Sequence, residues 1–144
     1  MAYRLMEHYT PDQIDLYQVV VGYLLQALGM VVYALGVRKR PEAFRKNLFF
    51  TIVLVLEAIV ISGGVLSGMP AVSLCFAFAM NLLHGVVAGW YLTQLGAFVP
   101  QQYRGRAFGF GYAIGSVGSW VLSLPFQGKF LRMEGIVPVY LVLI

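Results

Sequence analysis

The chain has 144 residues, of which 60% are hydrophobic and only 11% are charged. A soluble domain carries about 25% charged residues, because its surface faces water, and a soluble fold as apolar as this one would expose very large apolar patches. The composition excludes an ordinary soluble domain and predicts an integral membrane protein with lipid as its main partner.

Four stretches are long and apolar enough to be membrane spans, because a helix needs about 20 mostly apolar residues to cross a bilayer. They are residues 16–37, 47–68, 71–98 and 107–126. A fifth apolar run, residues 136–144, is too short to cross and predicts a partial span. Backbone polar groups must be satisfied internally in lipid, so the stretches are predicted to be helices. We expect an all-α, polytopic membrane helix bundle of four full transmembrane helices plus a truncated fifth, in a single domain over residues 1–144.

Basic residues are unevenly distributed between the loops. Residues 38–46 contain five of the ten Lys and Arg, and residues 101–106 contain two more, Arg104 and Arg106. Because basic loops stay in the cytoplasm, we expect these two loops to be cytoplasmic and the N-terminal tail to lie outside a bacterial inner (plasma) membrane. The net charge of +4 belongs to this loop pattern, so we expect no nucleic-acid partner.

Two ionisable residues lie in the middle of predicted spans, where a charge is expensive and usually has a function or a partner. Glu57 is in the second span and His84 is in the third. At 100° per residue, Asn81 and Tyr91 share a face with His84. These four residues, with Gln26 of the first span, are candidates for a substrate or proton pathway. For Glu57 and His84 the alternative is a structural hydrogen bond, and Glu57 is the candidate partner of His84.

Glycines recur at spacings that favour close packing of helices. The first span has a glycine every seventh residue, beside Gln26 and Tyr33, and two later spans contain glycine pairs four residues apart. The predicted packing residues are Gly22, Gly29, Gly36, Gly85, Gly89, Gly111 and Gly115. For Gln26 and Tyr33 a packing seam is the alternative to a ligand site.

The segment from Pro100 to Gly118 contains Arg104, Gly105 and Arg106 in a short loop, followed by a glycine-rich helix. This segment resembles the loop between the tenth and eleventh helices of the major facilitator superfamily, and its metabolite/proton and sugar-type symporters most of all. The resemblance implies that residues 16–144 match helices eight to twelve. The loop after the first span lacks the Asp of the family motif, so helices two to six are the alternative register.

In that family two six-helix halves enclose the substrate site, so the resemblance implies a fragment that needs the missing helices of its parent transporter. We expect part of a secondary transporter that moves a small organic solute, with a proton as the candidate coupling ion. The alternative is a complete four-span accessory or assembly subunit of a membrane complex. No catalytic triad, phosphate loop or Cys/His cluster is seen in the sequence, so we expect no enzyme activity, cofactor or metal.

Overall fold

The computed structural model describes residues 8–124, and these are helical almost throughout, with no strand among them. Helix α1 is Pro11–Asp15, and a π-helical segment, Leu16–Val21, connects it to α2, Gly22–Lys39. The remaining elements are α3 (Pro41–Phe44), α4 (Asn47–Leu66), α5 (Pro70–Phe98), a 3-10 turn (Gln101–Tyr103) and α6 (Arg104–Ser123). The all-α prediction is confirmed. The predicted partial span 136–144 lies outside the described residues.

Helices α4 and α5 are each long and apolar enough to cross a membrane. Their bounds agree with the predicted spans 47–68 and 71–98 to within two residues at each end. In the most apolar 18-residue stretch of each helix, only 22% of α4 and 17% of α5 is buried. A core helix of a soluble protein would be mostly buried by its neighbours, whereas most residues of α4 and α5 are half-buried or exposed.

The first and fourth predicted spans are helical, but neither meets the same test of length and apolarity within residues 8–124. The π-helical segment interrupts the first span, so α2 begins only at Gly22 and ends with Arg38 and Lys39. Helix α6 begins at Arg104, which places Arg106 and several glycines within it. The four-span arrangement therefore stays a prediction.

Three helices begin with a proline: Pro11 in α1, Pro41 in α3 and Pro70 in α5. Proline suits the first helical position, because its fixed φ matches the helix and its missing N–H has no partner there in any case. Thr10 closes the start of α1 with a capping box, in which its side chain accepts from the Gln13 backbone N–H. Pro41 lies between α2 and α4, and Pro70 lies between α4 and the rest of α5.

The described residues fall into two compact units, which divide between Thr93 and Gln94. In the first unit α4 and α5 are antiparallel, since the Ser73 hydroxyl donates to the Gly64 carbonyl near the turn and Phe50 stacks on Trp90 at the other end.

Helix α2 runs parallel to α5 and packs on another of its faces. Gly22 of α2 lies against Asn81, and Gly29, further along α2, lies against Gly85. Helix α5 therefore contacts both α2 and α4.

Candidate functional site

Glu57 and His84 meet between α4 and α5. The Nε2 atom of His84 lies 2.5 Å from Oε1 of Glu57. Each residue is close to the middle of its own helix, so the pair is far from both ends of the two most apolar helices. The structure therefore joins the two ionisable residues that the sequence places in the middle of apolar stretches.

The two partners differ in exposure. The side chain of Glu57 is 11% exposed, whereas the side chain of His84 is 45% exposed. Imidazole has two nitrogens that can each donate or accept, and only Nε2 of His84 has a polar partner among residues 8–124. The geometry can hold a proton between the carboxylate and Nε2 while nearly half of the His84 side chain remains exposed.

Contacts on both sides of the pair fix the register of α4 against α5. Toward the turn, the Ser73 hydroxyl donates to the carbonyl oxygen of Gly64 at 3.1 Å, and the Phe76 ring covers Gly63. Toward the other end, the rings of Phe50 and Trp90 stack with centroids 4.0 Å apart. Glu57 faces His84 because these contacts leave little freedom for one helix to slide along the other.

The other pathway candidates do not join this pair. The Asn81 amide donates to the Ala77 carbonyl of its own helix at 2.9 Å and lies against Gly22 of α2. The backbone carbonyl of Gln26 lies against Gly85, and Tyr91 is 40% exposed. Within residues 8–124 the candidate site therefore consists of Glu57 and His84.

Glycines make the closest contacts between α2 and α5. A Cβ atom built on Gly29 would lie 3.0 Å from the Cα of Gly85 and would clash with the Leu82 carbonyl oxygen. A Cβ atom on Gly85 would clash with the Gln26 carbonyl in the same way. Both clashes are with backbone atoms, which cannot rotate away. The two helices can approach this closely only because both positions lack a side chain.

The remaining predicted packing glycines fall into two groups. Gly36 lies under the Phe44 ring and Gly89 lies against the Tyr33 ring. A Cβ atom on Gly115 would meet nothing within 4 Å in the described part of the chain. A packing role for Gly111 and Gly115 stays a prediction.

Tyr33 belongs to an aromatic cluster that the glycine spacing did not reveal. It is 2% exposed, and its ring lies about 6 Å from the rings of Phe44 and Phe49, centroid to centroid. Its hydroxyl donates to the Phe44 carbonyl at 3.5 Å. The residue is therefore a packing residue that holds α3 and the start of α4 against α2.

Arg104 turns back onto the end of α5. Its guanidinium donates to the Val99 carbonyl at 2.9 Å and to the Gly96 carbonyl at 2.7 Å. The last carbonyls of a helix have no partner within it and carry partial negative charge, so a cation is favourable there. The predicted loop 101–106 is consequently shorter in the structure, with Arg104, Gly105 and Arg106 in the first turn of α6.

No three His, Cys, Asp or Glu residues lie close enough together to hold a metal ion within residues 8–124. Comparison with protein-family models, with curated proteins and with solved structures gives no match.

Proposed function

We propose that this chain is part of a proton-coupled secondary transporter of the major facilitator type, which moves a small organic solute across a membrane. The observation that carries the proposal is the Glu57–His84 pair in the middle of two apolar helices. A lone charge at the bilayer centre costs about 2.5–3.5 kcal/mol even on the mildest scales. Ionisable groups kept at such a depth usually mark an ion or substrate pathway.

The pair suits proton coupling because both of its members can bind a proton and the two are in hydrogen-bond contact. As an ion pair or as two neutral groups it has no net charge, which limits its cost in lipid. A second proton gives it a charge of +1, and loss of that proton restores neutrality. A solute bound beside the partly exposed His84 side chain would meet a different charge in each state, and this difference would couple the two movements.

The family part of the proposal rests on the segment from Pro100 to Gly118. The Arg104–Gly105–Arg106 motif forms the first turn of α6, directly after the short 3-10 turn, and the Arg104 guanidinium bonds back to the Gly96 and Val99 carbonyls. We propose the register of helices eight to twelve, with the turns containing residues 38–46 and 101–106 in the cytoplasm and the N-terminal tail outside.

The test is solute accumulation in cells that make the protein from its own gene, compared with cells from which the gene is deleted. Labelled glucose, lactate, citrate and glycine serve as probes. We expect at least one probe to accumulate in the first cells and not in the second, and a protonophore to abolish the difference. Equal accumulation of every probe in both kinds of cell would contradict the transporter proposal.

A second candidate is an accessory or assembly subunit of a membrane complex. The observation that favours it is the composition of α6, which contains five glycines in 20 residues. Small residues on a membrane helix suit close contact with another helix. A subunit of this kind would co-purify with a fixed partner, and its deletion would abolish assembly of that partner without affecting solute accumulation.

A further inference from the structure

The turn between α2 and α4 concentrates positive charge at one end of the helices. Its basic residues are Arg38, Lys39, Arg40, Arg45 and Lys46, and all five are exposed. Glu42 is the one acidic residue within 38–46. Arg38, Lys39, Arg40 and Lys46 form no ion pair with any residue in the described range 8–124. Five basic residues against one acidic residue give this end of the structure a dense positive surface, which we call the basic turn (residues 38–46).

The basic turn is held in place by aromatic packing below it. Phe44 of α3 covers Gly36 and lies 4.7 Å from Phe49, centroid to centroid. The Tyr33 hydroxyl bonds to the Phe44 carbonyl from the α2 side. Because the apolar side of the turn is anchored in this cluster, its cations stay together at the end of α2 and α4.

From this placement we propose that the basic turn binds the phosphate headgroups of anionic lipids in the leaflet that it faces. The inference rests on the membrane placement in the proposed function, since it puts the basic turn at the depth of the headgroups. Clusters of four to eight Lys and Arg beside a membrane helix attract anionic lipids, and each cation contributes about fivefold in affinity. The occupant we propose is a phosphatidylglycerol-type lipid, whose phosphate is bound by the cations while its chains lie along α4.

Tryptophan fluorescence provides the test, because Trp90 stacks on Phe50, one turn from Lys46. In a Trp120→Phe background Trp90 is the single tryptophan. The whole chain is reconstituted in liposomes in which either phosphatidylglycerol or phosphatidylcholine carries brominated chains that quench tryptophan. We expect brominated phosphatidylglycerol to quench Trp90 at a much lower mole fraction than brominated phosphatidylcholine.

The variants separate charge from structure. Neutralising three cations together, as Arg38→Gln, Lys39→Gln and Arg40→Gln, should reduce the preference for phosphatidylglycerol by up to about 100-fold. The matched double variant Arg38→Lys and Arg40→Lys keeps every charge and should keep the preference. Glu42→Gln removes the acidic residue and should strengthen it.

Three outcomes would overturn the inference. Equal quenching by the two lipids in protein that has inserted would overturn it and leave the transporter proposal standing. Loss of the preference on adding inorganic phosphate at constant ionic strength would show a site for a free anion instead of a lipid. Failure of the chain to insert in either liposome, scored by alkaline extraction, would overturn both the inference and the membrane placement.

Discussion

Replacing Gly29 by alanine is expected to destabilise the contact between α2 and α5 by about 1–3 kcal/mol, the usual range for forcing an extra group into a packed interface. The new methyl group would clash with the Leu82 carbonyl oxygen, so the helices must separate. Separation also weakens the packing and interhelical contacts that hold membrane helices together. Gly29→Leu should have a larger effect, up to loss of the folded protein. The measurement is thermal unfolding in detergent, followed by circular dichroism.

The matched control is Gly96→Ala, the same change at another glycine in a helix. A Cβ atom on Gly96 meets nothing within 4 Å in the described part of the chain. Alanine is favoured over glycine inside a helix by about 0.5–1 kcal/mol, so this variant should be as stable as the native protein or more so. Val32→Leu, at a residue that is 49% exposed, should also have little effect. Equal unfolding temperatures for Gly29→Ala and Gly96→Ala would show that α2 and α5 do not approach closely at Gly29 and Gly85.

Substitution of His84 is expected to separate solute exchange from solute accumulation. His84→Gln keeps a hydrogen-bonding side chain beside Glu57 and cannot carry a proton in the working pH range. We expect this variant to exchange labelled for unlabelled solute across the membrane and to lose accumulation. One proton moved through 100 mV supplies about 2.3 kcal/mol, so an accumulation of about 50-fold should disappear. His84→Ala should abolish or uncouple transport.

Two further variants test whether the effect of the His84 substitutions is specific to the Glu57–His84 pair. Glu57→Gln removes the other ionisable partner and should also lose accumulation. Thr93→Val is the control, since within residues 8–124 the Thr93 hydroxyl bonds to the Gly89 carbonyl of its own helix and not to Glu57 or His84. It should accumulate solute normally. Normal accumulation by both His84 variants would show that His84 is a packing residue and that the proton is carried elsewhere.

Helix positions were predictable from the sequence where a long apolar run is bounded by proline or by charge. Helix α4 begins directly after the basic residue Lys46, and α5 begins at Pro70 and ends two residues before Pro100. The start of the first span was less predictable, because nothing in the run Leu16–Val21 distinguishes a π-helix from an α-helix by composition. The start of α6 differs for another reason, since the Arg104 guanidinium bonds to the Gly96 carbonyl of α5 and to the Val99 carbonyl just after it, contacts that the sequence does not reveal.

The two residues of the site were predictable from the sequence, but the contacts that surround them were not. Depth in an apolar run singled out Glu57 and His84, because charge in lipid is costly wherever it occurs. The helical face of His84 also pointed to Asn81 and Tyr91, yet Asn81 lies against α2 and bonds within its own helix. A shared face on one helix cannot reveal which neighbour covers each part of it. That depends on the register between helices, which here is set by contacts such as Phe50 on Trp90.

The most direct test of the Glu57–His84 site is chemical cross-linking of cysteines at these two positions in native membranes. The background carries Cys75→Ser and a protease site in the turn after α4, so that only a cross-link keeps the two halves together on a gel. A short bifunctional thiol reagent is needed, because a direct disulfide requires Cβ atoms about 3.8 Å apart, whereas Glu57 and His84 meet at their tips. We predict efficient cross-linking of Glu57→Cys with His84→Cys, and little with Leu82→Cys, whose carbonyl lies against Gly29 of α2. Cross-linking to position 82 as efficient as to position 84, or none to position 84, would contradict the paired site.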